Sequence, residues 1–302
     1  MSKSIQNHQI ECNMRNNIRF FLVVVMLGIL GVVSSSAKNR ALLIGISEYS
    51  HDYKWNTISG TNDIELIKGV LVDFSIRELK DKDATYDNII KEFERLIKQS
   101  KPSDVVYIHF SGHGQPVEDY DGDEEDGWDE AFVPYDAGDK YVPGVYEGNR
   151  HLLDDILNTL LDRLRQKLGP EGYVYVVVDA CHAGEQFRGE EDDVPVRGSI
   201  YGISKNNKHY VPQLNTIKHY PISPESNKSN IVMMEACRSY QVNREIKRDG
   251  AFYGPLSYSV YLVLKNMTIH SNPKWFLNVE DTFNKQRPAG SSQRMVTEST
   301  VE

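Results

Sequence analysis

Apolar residues follow two different spacings along this chain after residue 38. Four short, nearly continuous apolar runs end in glycine or in polar, turn-forming residues, which is typical of buried β-strands. Between these runs, apolar residues recur every three or four positions, which predicts amphipathic helices. The predicted strands are residues 40–46 (RALLIGI), 104–110 (DVVYIHF), 173–178 (YVYVVV) and 231–234 (IVMM). The predicted helices begin near Asn62, which has Glu65 at the spacing of a capping box, and near Tyr86, Leu152 and Phe252.

The order of these elements determines the expected architecture. Strands that alternate with helices form βαβ units, and strands that are apolar throughout are covered on both faces. The sequence therefore predicts an α/β fold with a mainly parallel central sheet flanked by helices. Residues 185–228 interrupt the alternation with a polar stretch rich in Gly, Pro, Ser and Asn, which we expect to be a long exposed loop within one domain.

The N-terminal segment differs from the rest of the chain. Residues 20–33 (FFLVVVMLGILGVV) are apolar and uncharged, Arg15 and Arg19 precede them, and the small residues SSSA follow. This order predicts a secretory signal peptide over residues 1–37, with Met14 as an alternative start. The apolar run is shorter than the roughly 20 residues that span a bilayer. We therefore expect cleavage and export, to the periplasm or the medium, with an uncleaved membrane anchor as the alternative.

Composition removes several classes of protein. The chain is 40% hydrophobic, which suffices for a large core and argues against extended disorder. Its formal net charge of -9 argues against nucleic-acid binding, because phosphate neutralisation requires a basic face. The fold does not depend on a disulfide framework, since the only cysteines are Cys12, Cys181 and Cys237.

Reactive side chains follow two of the predicted strands. SGHG occupies residues 111–114, and DACHAG occupies residues 179–184. Active sites of open α/β sheets form beyond the carboxyl ends of strands, and flanking glycines permit tight turns and close approach of a substrate. A thiol attacks acyl carbons as the thiolate, which a nearby imidazole can generate. We therefore expect Cys181 to be a nucleophile and His113 to be its general base.

Other interpretations of these residues are weaker. A buried free cysteine and a histidine in a turn are each common structural features, but their joint position at two strand ends favours chemistry. Cys181 and His113, together with His109 and His182, lack the short paired spacings of a closed zinc site. No G-x-S-x-G motif supports a serine hydrolase. Cys237 has no flanking glycines and is expected to be a packing residue.

Several motifs together resemble one known family. FSGHG and DACHAG are similar to the His and Cys boxes of caspase-like peptidases, and DYDGDEEDGWDEAFVPYD between them is similar to type I metacaspases, including bacterial ones. ALLIGISEY, SGTND, LLDDIL, MEACRSYQ and QRPAGSSQ occur in the expected order. The resemblance covers nearly all of the chain after Asn39. It departs at Ala183, where the family often has Ser.

The resemblance implies a caspase-like three-layer sandwich. It implies a single catalytic domain over residues 38–302, with a p20-like part (38–184), the loop 185–228 and a p10-like part (229–302).

The resemblance also implies an activity. An exported cysteine endopeptidase would hydrolyse peptide bonds through a thioester acyl-enzyme, with Cys181 attacking and His113 moving the proton. The backbone N–H groups of Gly114 and Cys181 are the expected oxyanion donors. No cofactor is required for this chemistry. The alternative is a catalytically silent caspase-fold binding or regulatory module; the presence of both Cys181 and His113 favours the enzyme.

The expected substrates are peptides or proteins with a basic P1 residue, the residue before the scissile bond. Asp63 and Ser111 match pocket residues of metacaspases, and Asp179 lies two residues before the nucleophile. A guanidinium between two carboxylates relieves their repulsion with bidentate bonds, so we expect cleavage after Arg before Lys, and not after Asp. The structural alternative is that Asp63, in the first turn of a helix, interacts favourably with the helix dipole and that Asp179 binds local backbone amides. The loop offers four candidate positions for self-cleavage: Arg188, Arg197, Lys205 and Lys208.

An acidic segment lies between the two boxes. Nine of the thirteen residues from 118 to 130 are acidic, so they must be solvated or bound to a cation. Glu124 stands where an EF-hand loop requires Gly, which excludes that motif. The resemblance matches Asp129, Asp154 and Asp155 to calcium-binding positions, although Arg188 occupies the neighbourhood of a fourth ligand. We expect calcium as an activator, with a solvated loop as the alternative.

Overall fold

The computed structural model describes residues 38–301 with several gaps. The residues outside the description are 125, 182–193, 200, 207, 212–221, 223, 239–240 and 288–290, together with 1–37 and 302 at the ends of the chain. The signal peptide expected over residues 1–37 falls there and stays a prediction. In the described part, no helix is both long and apolar enough to cross a membrane.

A six-stranded sheet lies at the centre of the domain. Its strands are, in spatial order, β11 (Val296–Ser299), β8 (Asn230–Glu235), β7 (Tyr173–Asp179), β3 (Val105–Ser111), β1 (Asn39–Gly45) and β2 (Ser75–Lys80). Neighbouring strands are parallel, except that β11 runs antiparallel to β8. The register aligns Gly45 with Ser111 and Ser111 with Asp179, so three carboxyl ends lie side by side. The predicted, mainly parallel sheet is confirmed.

Helices cover both faces of this sheet and create two hydrophobic cores. The α-helices of the described residues are α1 (Gly60–Val70), α2 (Tyr86–Gln99), α3 (Asp154–Leu168), α4 (Pro255–Leu264) and α5 (Leu277–Gln286). Because side chains alternate along a strand, Leu42 and Ile44 of β1 belong to the core under α2 and α3. Ala41 and Leu43 belong to the opposite core under α1, α4 and α5. The three-layer α/β architecture expected from the sequence is therefore confirmed.

The start of α1 differs from the sequence prediction. The helix begins at Gly60 after Ser59, and no side chain caps it. The side-chain amide of Asn62 instead donates to the main-chain carbonyl of Phe252 at 3.1 Å, and Glu65 pairs with Lys80. The capping-box interpretation is wrong because tertiary contacts engage both side chains.

Short strands form two additional small sheets. The antiparallel strands β4 (Gly114–Glu118), β5 (Trp128–Phe132) and β6 (Leu152–Leu153) form one, and the hairpin of β9 (Ile246–Arg248) and β10 (Ala251–Tyr253) forms the other. The hairpin turns at Asp249 and Gly250, which both have positive φ, as an Asp-Gly turn of this type requires. Strands of two to five residues have too little periodicity to be recognised from sequence.

Part of the segment that we expected to be exposed is buried. Within residues 185–228, Arg197 and Ile203 are both 0% exposed, and Tyr210 is also buried. The main chain around Arg197 and Ile203 pairs with β4. The expectation of an exposed loop is wrong for these residues, because Arg197 binds at the carboxyl end of the central sheet, Ile203 pairs with β4, and Tyr210 packs against Trp128.

Candidate active site

Two adjacent turns carry the predicted nucleophile and base. Cys181 follows β7 by two residues, and His113 follows β3 by two residues. These strands are neighbours in register, so their turns lie side by side. Both side chains are buried, at 0% and 2% exposure. The Cys181 thiol donates to the carbonyl of Gln241 at 2.7 Å and packs against Cys237.

The surroundings of His113 select one tautomer of its imidazole. Nε2 lies 2.9 Å from the main-chain carbonyl oxygen of Asn56. A carbonyl only accepts, so Nε2 carries the hydrogen and Nδ1 presents a lone pair. Nδ1 is buried and has no hydrogen-bond partner among the described residues. The ring lies against Trp55 and Tyr49, with centroid separations of 5.0 and 5.1 Å.

The protonation state of His113 suits a general base. Burial lowers the pKa of His113 to about 4, although the hydrogen bond to Asn56 acts in the opposite direction. The imidazole is therefore neutral at pH 7, and a neutral imidazole can accept a proton.

Two backbone amides converge on one carbonyl oxygen. The N–H groups of Cys181 and Gly114 both donate to the main-chain oxygen of Arg197, at 2.9 and 3.3 Å. Paired amides in such a turn stabilise the oxyanion of an acyl-transfer reaction. The residues expected to be oxyanion donors thus bind an acyl oxygen, and that oxygen belongs to the chain's own Arg197.

The main chain before Arg197 is bound as an added strand. The Arg197 N–H donates to the carbonyl of Asn243, and the Glu245 N–H donates to the carbonyl of Pro195, both at 3.0 Å. The residues between these bonds form an antiparallel bridge. Addition of a strand to an exposed main-chain edge is a general way of binding an extended peptide.

The guanidinium of Arg197 fills a pocket of acidic and hydroxyl groups. Nη1 donates to Asp63 at 2.7 Å and to the Ser111 hydroxyl at 2.6 Å. Ser111 passes its own hydrogen to Asp63 at 2.6 Å. Nε and Nη2 both donate to Glu245, at 3.0 and 2.7 Å. Asp179 lies 3.7 Å from Nη1. All three predicted pocket residues surround one guanidinium, and Glu245 is a fourth member that the sequence did not indicate.

Asp179 forms one wall of this pocket and is held by neighbouring donors. The N–H and hydroxyl of Ser257 both donate to it at 2.7 Å, and the side-chain amide of Asn243 donates at 2.7 Å. Gly254 closes the pocket, and its N–H donates to Asp63 at 3.0 Å. A Cβ on Gly254 would lie 2.2 Å from the Asp179 carboxylate, so only glycine permits this approach.

The pocket contains more negative than positive charge. Asp63, Asp179, Glu245 and Arg197 are all fully buried. Burial is the main cause that raises the pKa of Asp63 to about 7; Arg197 opposes this rise and Asp179 adds to it. Burial by itself would lower the pKa of Arg197, but the carboxylates outweigh it and raise that pKa above its ordinary value. This environment favours a cationic side chain and disfavours an anionic one.

His109 supports the pocket rather than a metal. Its Nδ1 lies 2.9 Å from the Tyr107 hydroxyl, and its Nε2 lies 2.9 Å from the Ser257 hydroxyl. Because Ser257 gives its hydrogen to Asp179, the imidazole is the donor to Ser257. His182 lies outside the described residues. Within the described part of the chain, the side-chain clusters that could bind a metal contain carboxylates only.

The predicted calcium ligands lie in and beside the acidic segment. Asp129 is on β5, and Asp154 and Asp155 begin α3. Carboxylates form two groups of three, and inside each group the oxygens lie within 4.8 Å of one another: Asp119, Asp123 and Asp129, and Asp121, Asp123 and Asp155. The predicted ligand Asp154 belongs to neither group.

Asp129 is the most buried member of these groups. It is 5% exposed, and its Oδ1 has no hydrogen-bond partner among the described residues. Burial, followed by the charge of Asp154, raises the pKa of Asp129 to about 7. A set of carboxylates around a buried oxygen of this kind fits a hard dication, which takes oxygen ligands.

Comparison with known proteins identifies the family of this chain. A family model described as the caspase domain, of peptidase family C14, matches residues 38–300. Metacaspase-1 of Eremothecium gossypii is 31% identical over 182 residues, which are 56% of this chain and 36% of that protein. Metacaspase-1B of Aspergillus terreus is 34% identical over 121 residues, which are 40% of this chain and 28% of that protein. The matched segments thus span well under half the length of these relatives.

A solved structure shares the fold. Protein GSU0716 from Geobacter sulfurreducens superposes with a TM-score of 0.57 at 19% identity, over 87% of this chain and 93% of the other. The match of the family model to nearly the whole described domain, with Cys181 and His113 at neighbouring strand ends, means that the chain belongs to the caspase-domain family of peptidases and is similar to its metacaspases.

Proposed function

We propose that this protein is a cysteine endopeptidase that cleaves peptide bonds after arginine, and less readily after lysine. The binding of Arg197 carries this proposal. Its carbonyl oxygen lies between the N–H groups of Cys181 and Gly114, and its guanidinium fills an acidic pocket. An arginine bound in this way is bound as the P1 residue of a substrate would be.

The proposed reaction uses two side chains and two amides. The Cys181 sulfur attacks the P1 carbonyl carbon while His113 takes the thiol proton at Nδ1. The N–H groups of Cys181 and Gly114 stabilise the oxyanion. Collapse breaks the C–N bond, the leaving amine takes the proton from His113, and an acyl-thioester remains. Water, deprotonated by His113, then hydrolyses the thioester and restores the thiol. No cofactor takes part.

Specificity follows from the charge and shape of the pocket. Asp63 and Glu245 contact different nitrogens of the guanidinium, so the pocket matches a planar, forked cation. A lysine ammonium is a point charge and cannot make all of these bonds at once. An aspartate would meet only carboxylates, and juxtaposition of like charges costs several kcal/mol.

The chain itself is the first substrate that we expect. Of the four candidate positions, Arg188 lies outside the described residues, Lys205 is exposed, and Lys208 lies over the Trp128 ring with its Nζ 5.3 Å from the ring centroid. Arg197 is the candidate whose side chain is bound in the acidic pocket. Incubation of the purified chain should therefore cut the bond between Arg197 and Gly198. Mass spectrometry should find a fragment that begins at Gly198.

Two variants control this self-cleavage experiment. Cys181→Ala should remain intact, and Lys208→Gln should be cut as the wild type is. Cleavage only at other positions, by a chain that hydrolyses P1-arginine peptides, would show that Arg197 is not bound as a substrate.

We also propose that calcium activates the enzyme. Asp129 and Asp155 would bind it together with carboxylates of the 119–123 loop, and Asp154, which is in neither carboxylate group, is the remaining predicted ligand. The buried oxygen of Asp129 that has no hydrogen-bond partner among the described residues supports this assignment. A dication would neutralise repulsive carboxylates and order this loop. It would take no part in the chemical steps.

Millimolar calcium should raise the rate on a P1-arginine peptide. At a concentration 100 times its dissociation constant, it should stabilise the fold by about 2.7 kcal/mol. The double variant Asp154→Ala, Asp155→Ala should lose both effects, whereas Asp73→Asn, at an exposed carboxylate elsewhere, should keep them. Equal rates and melting temperatures in EDTA and in calcium, at matched ionic strength, would exclude the site.

A further inference from the structure

The bound segment continues well beyond Arg197. Gly198 forms a parallel bridge with Gly114 at the start of β4. Farther along, the Ile203 N–H donates to the carbonyl of Pro116 at 2.9 Å, and the Glu118 N–H donates to the carbonyl of Ile203 at 2.8 Å. The free edge of β4 thus binds this segment as an added strand, while the other edge of β4 pairs with β5.

The side chain of Ile203 anchors this part of the segment. It is 0% exposed and belongs to the same core as Val117 of β4. Gly148, with φ of 90°, makes room for it, because a Cβ at that position would lie 2.9 Å from the Ile203 side chain. The subsite is therefore apolar and closely shaped to a branched aliphatic side chain.

The residue before the anchor is restricted in size. A Cβ on Gly202 would lie 2.2 Å from the Trp128 ring, so Trp128 leaves no room for a side chain there. Trp128 is itself buried and is held by Tyr210, whose ring meets it edge to face at 5.5 Å. On the other side of the anchor, the Ser204 hydroxyl donates to Glu118 at 2.7 Å.

We propose that the edge of β4 is a substrate-binding groove for residues after the scissile bond, with an apolar subsite for the sixth of them. In the uncut chain the occupant is the chain's own segment, with Ile203 in the subsite. In catalysis, an extended protein substrate takes its place. This inference rests on the proposed function, since Ile203 is the sixth residue after the bond that Arg197 would present to Cys181.

The groove and the acidic pocket bind substrate residues on opposite sides of the scissile bond, so their contributions to binding can be measured separately. The acidic pocket and the strand formed with Asn243 and Glu245 recognise residues up to the bond. Apart from the Gly114 N–H, which donates to the Arg197 carbonyl, the β4 groove contacts residues after the bond. Substrates that end soon after the bond should not depend on the groove, whereas long substrates should gain affinity from it. The gain should appear in KM, because these contacts are distant from the reacting carbonyl and bind ground and transition states alike.

Internally quenched peptides test this proposal. The long peptide reproduces residues 194–205 (VPVRGSIYGISK), and a short one ends two residues after the arginine. Two variants of the long peptide carry aspartate in place of the isoleucine equivalent to Ile203, or valine in place of the glycine equivalent to Gly202. Three full-length enzymes are compared. Ile203→Ser removes the side chain that fills the subsite, the wild type keeps it, and Val211→Ser is the matched control at an exposed valine of the same segment.

With the Ile203→Ser enzyme, the aspartate peptide should show KM raised roughly 10- to 100-fold relative to the unaltered long peptide, the effect of losing the burial of one isoleucine side chain. The valine peptide should show a rise of similar size, because its side chain would clash with the Trp128 ring. For both peptides kcat should be nearly unchanged. Ile203→Ser should hydrolyse the long peptide faster than the wild type, and Val211→Ser should not. Should Ile203→Ser fail to fold, the wild type should still discriminate among the long peptides.

The outcomes separate this inference from the proposed function. If the short peptide were hydrolysed and all long peptides had the same KM, the proposed groove would be contradicted, whereas the proposed peptidase activity would stand. Hydrolysis of neither short nor long peptides by any of the enzymes would contradict the proposed function itself.

Discussion

Cys181→Ala is expected to lower hydrolysis of a P1-arginine peptide by roughly 10⁴-fold or more, and His113→Ala by a similar factor. The two side chains act together in one proton transfer and attack, so removal of either one prevents the other from contributing to the reaction. The double variant should consequently be no worse than the single variants by more than a few-fold. Rates of the purified full chains in calcium, with thermal melts to verify folding, measure these effects.

Cys237 provides the matched control for this experiment. It is a second buried thiol that contacts Cys181 and takes no part in the proposed reaction. Cys237→Ala should therefore keep its activity. Iodoacetamide should inactivate both the wild type and this variant, with the label on Cys181. If Cys181→Ala hydrolysed the peptide at the wild-type rate, Cys181 would not be the nucleophile. The hydrolysis would then come from another protein in the preparation, and the alternative of a catalytically silent module would be supported.

Arginine at P1 is expected to exceed aspartate by roughly 10³-fold or more in kcat/KM, because juxtaposed like charges cost several kcal/mol. It is expected to exceed lysine by about tenfold, which corresponds to roughly one lost hydrogen bond. Removal of one charge from the pocket should reduce the arginine preference. Asp63→Asn and Glu245→Gln keep the shape of each side chain and remove a charge-assisted hydrogen bond. Such bonds contribute about 1.5–3 kcal/mol, which corresponds to roughly 10- to 150-fold in kcat/KM.

The control for this comparison lies on the same helix as Asp63. Glu65→Gln, at an exposed carboxylate on α1, should leave the preference unchanged. Asp179→Ala should weaken it, because Asp179 lies 3.7 Å from the guanidinium and shapes the pocket through Ser257 and Asn243. Preference for aspartate at P1, or an unchanged arginine preference in Asp63→Asn and Asp179→Ala, would contradict the pocket assignment.

The two strand-end motifs can be predicted from the sequence because their signals are local. Cys181 and His113 each follow a continuous apolar strand and lie among small residues. Parallel strands place their carboxyl ends at one end of a sheet, so their proximity follows from the fold class. Asp63 required more than its sequence position, since an acid in the first turn of a helix is common; the resemblance to metacaspases supplied its assignment.

Several members of the site had no signal in the sequence. Asn56 contributes only a main-chain carbonyl, which every residue has. Glu245 stands in a polar stretch with no catalytic motif around it, although the Asp-Gly pair at 249–250 could have indicated the hairpin that begins next to it. Gly254 matters only because it approaches Asp179, a residue 75 positions away in sequence.

Arg197 is the residue of the site whose position the sequence predicts least. Four basic residues in one polar segment were equivalent candidates for self-cleavage, and the polarity of the segment predicted exposure. Burial of Arg197 depends on three carboxylates from separate elements that together offset its desolvation. No local pattern encodes such compensation.

The amino-acid sequence by itself determined the layered α/β fold and the strand ends that carry Cys181 and His113. These depend on hydrophobic periodicity and on residues close to each other in the chain. Only the tertiary structure decided that Arg197 occupies the pocket, that Glu245 completes it and that Ile203 fills a groove beside β4. Those contacts join residues about 50 to 130 positions apart, and their energies arise from burial and charge compensation that exist only after the chain has folded.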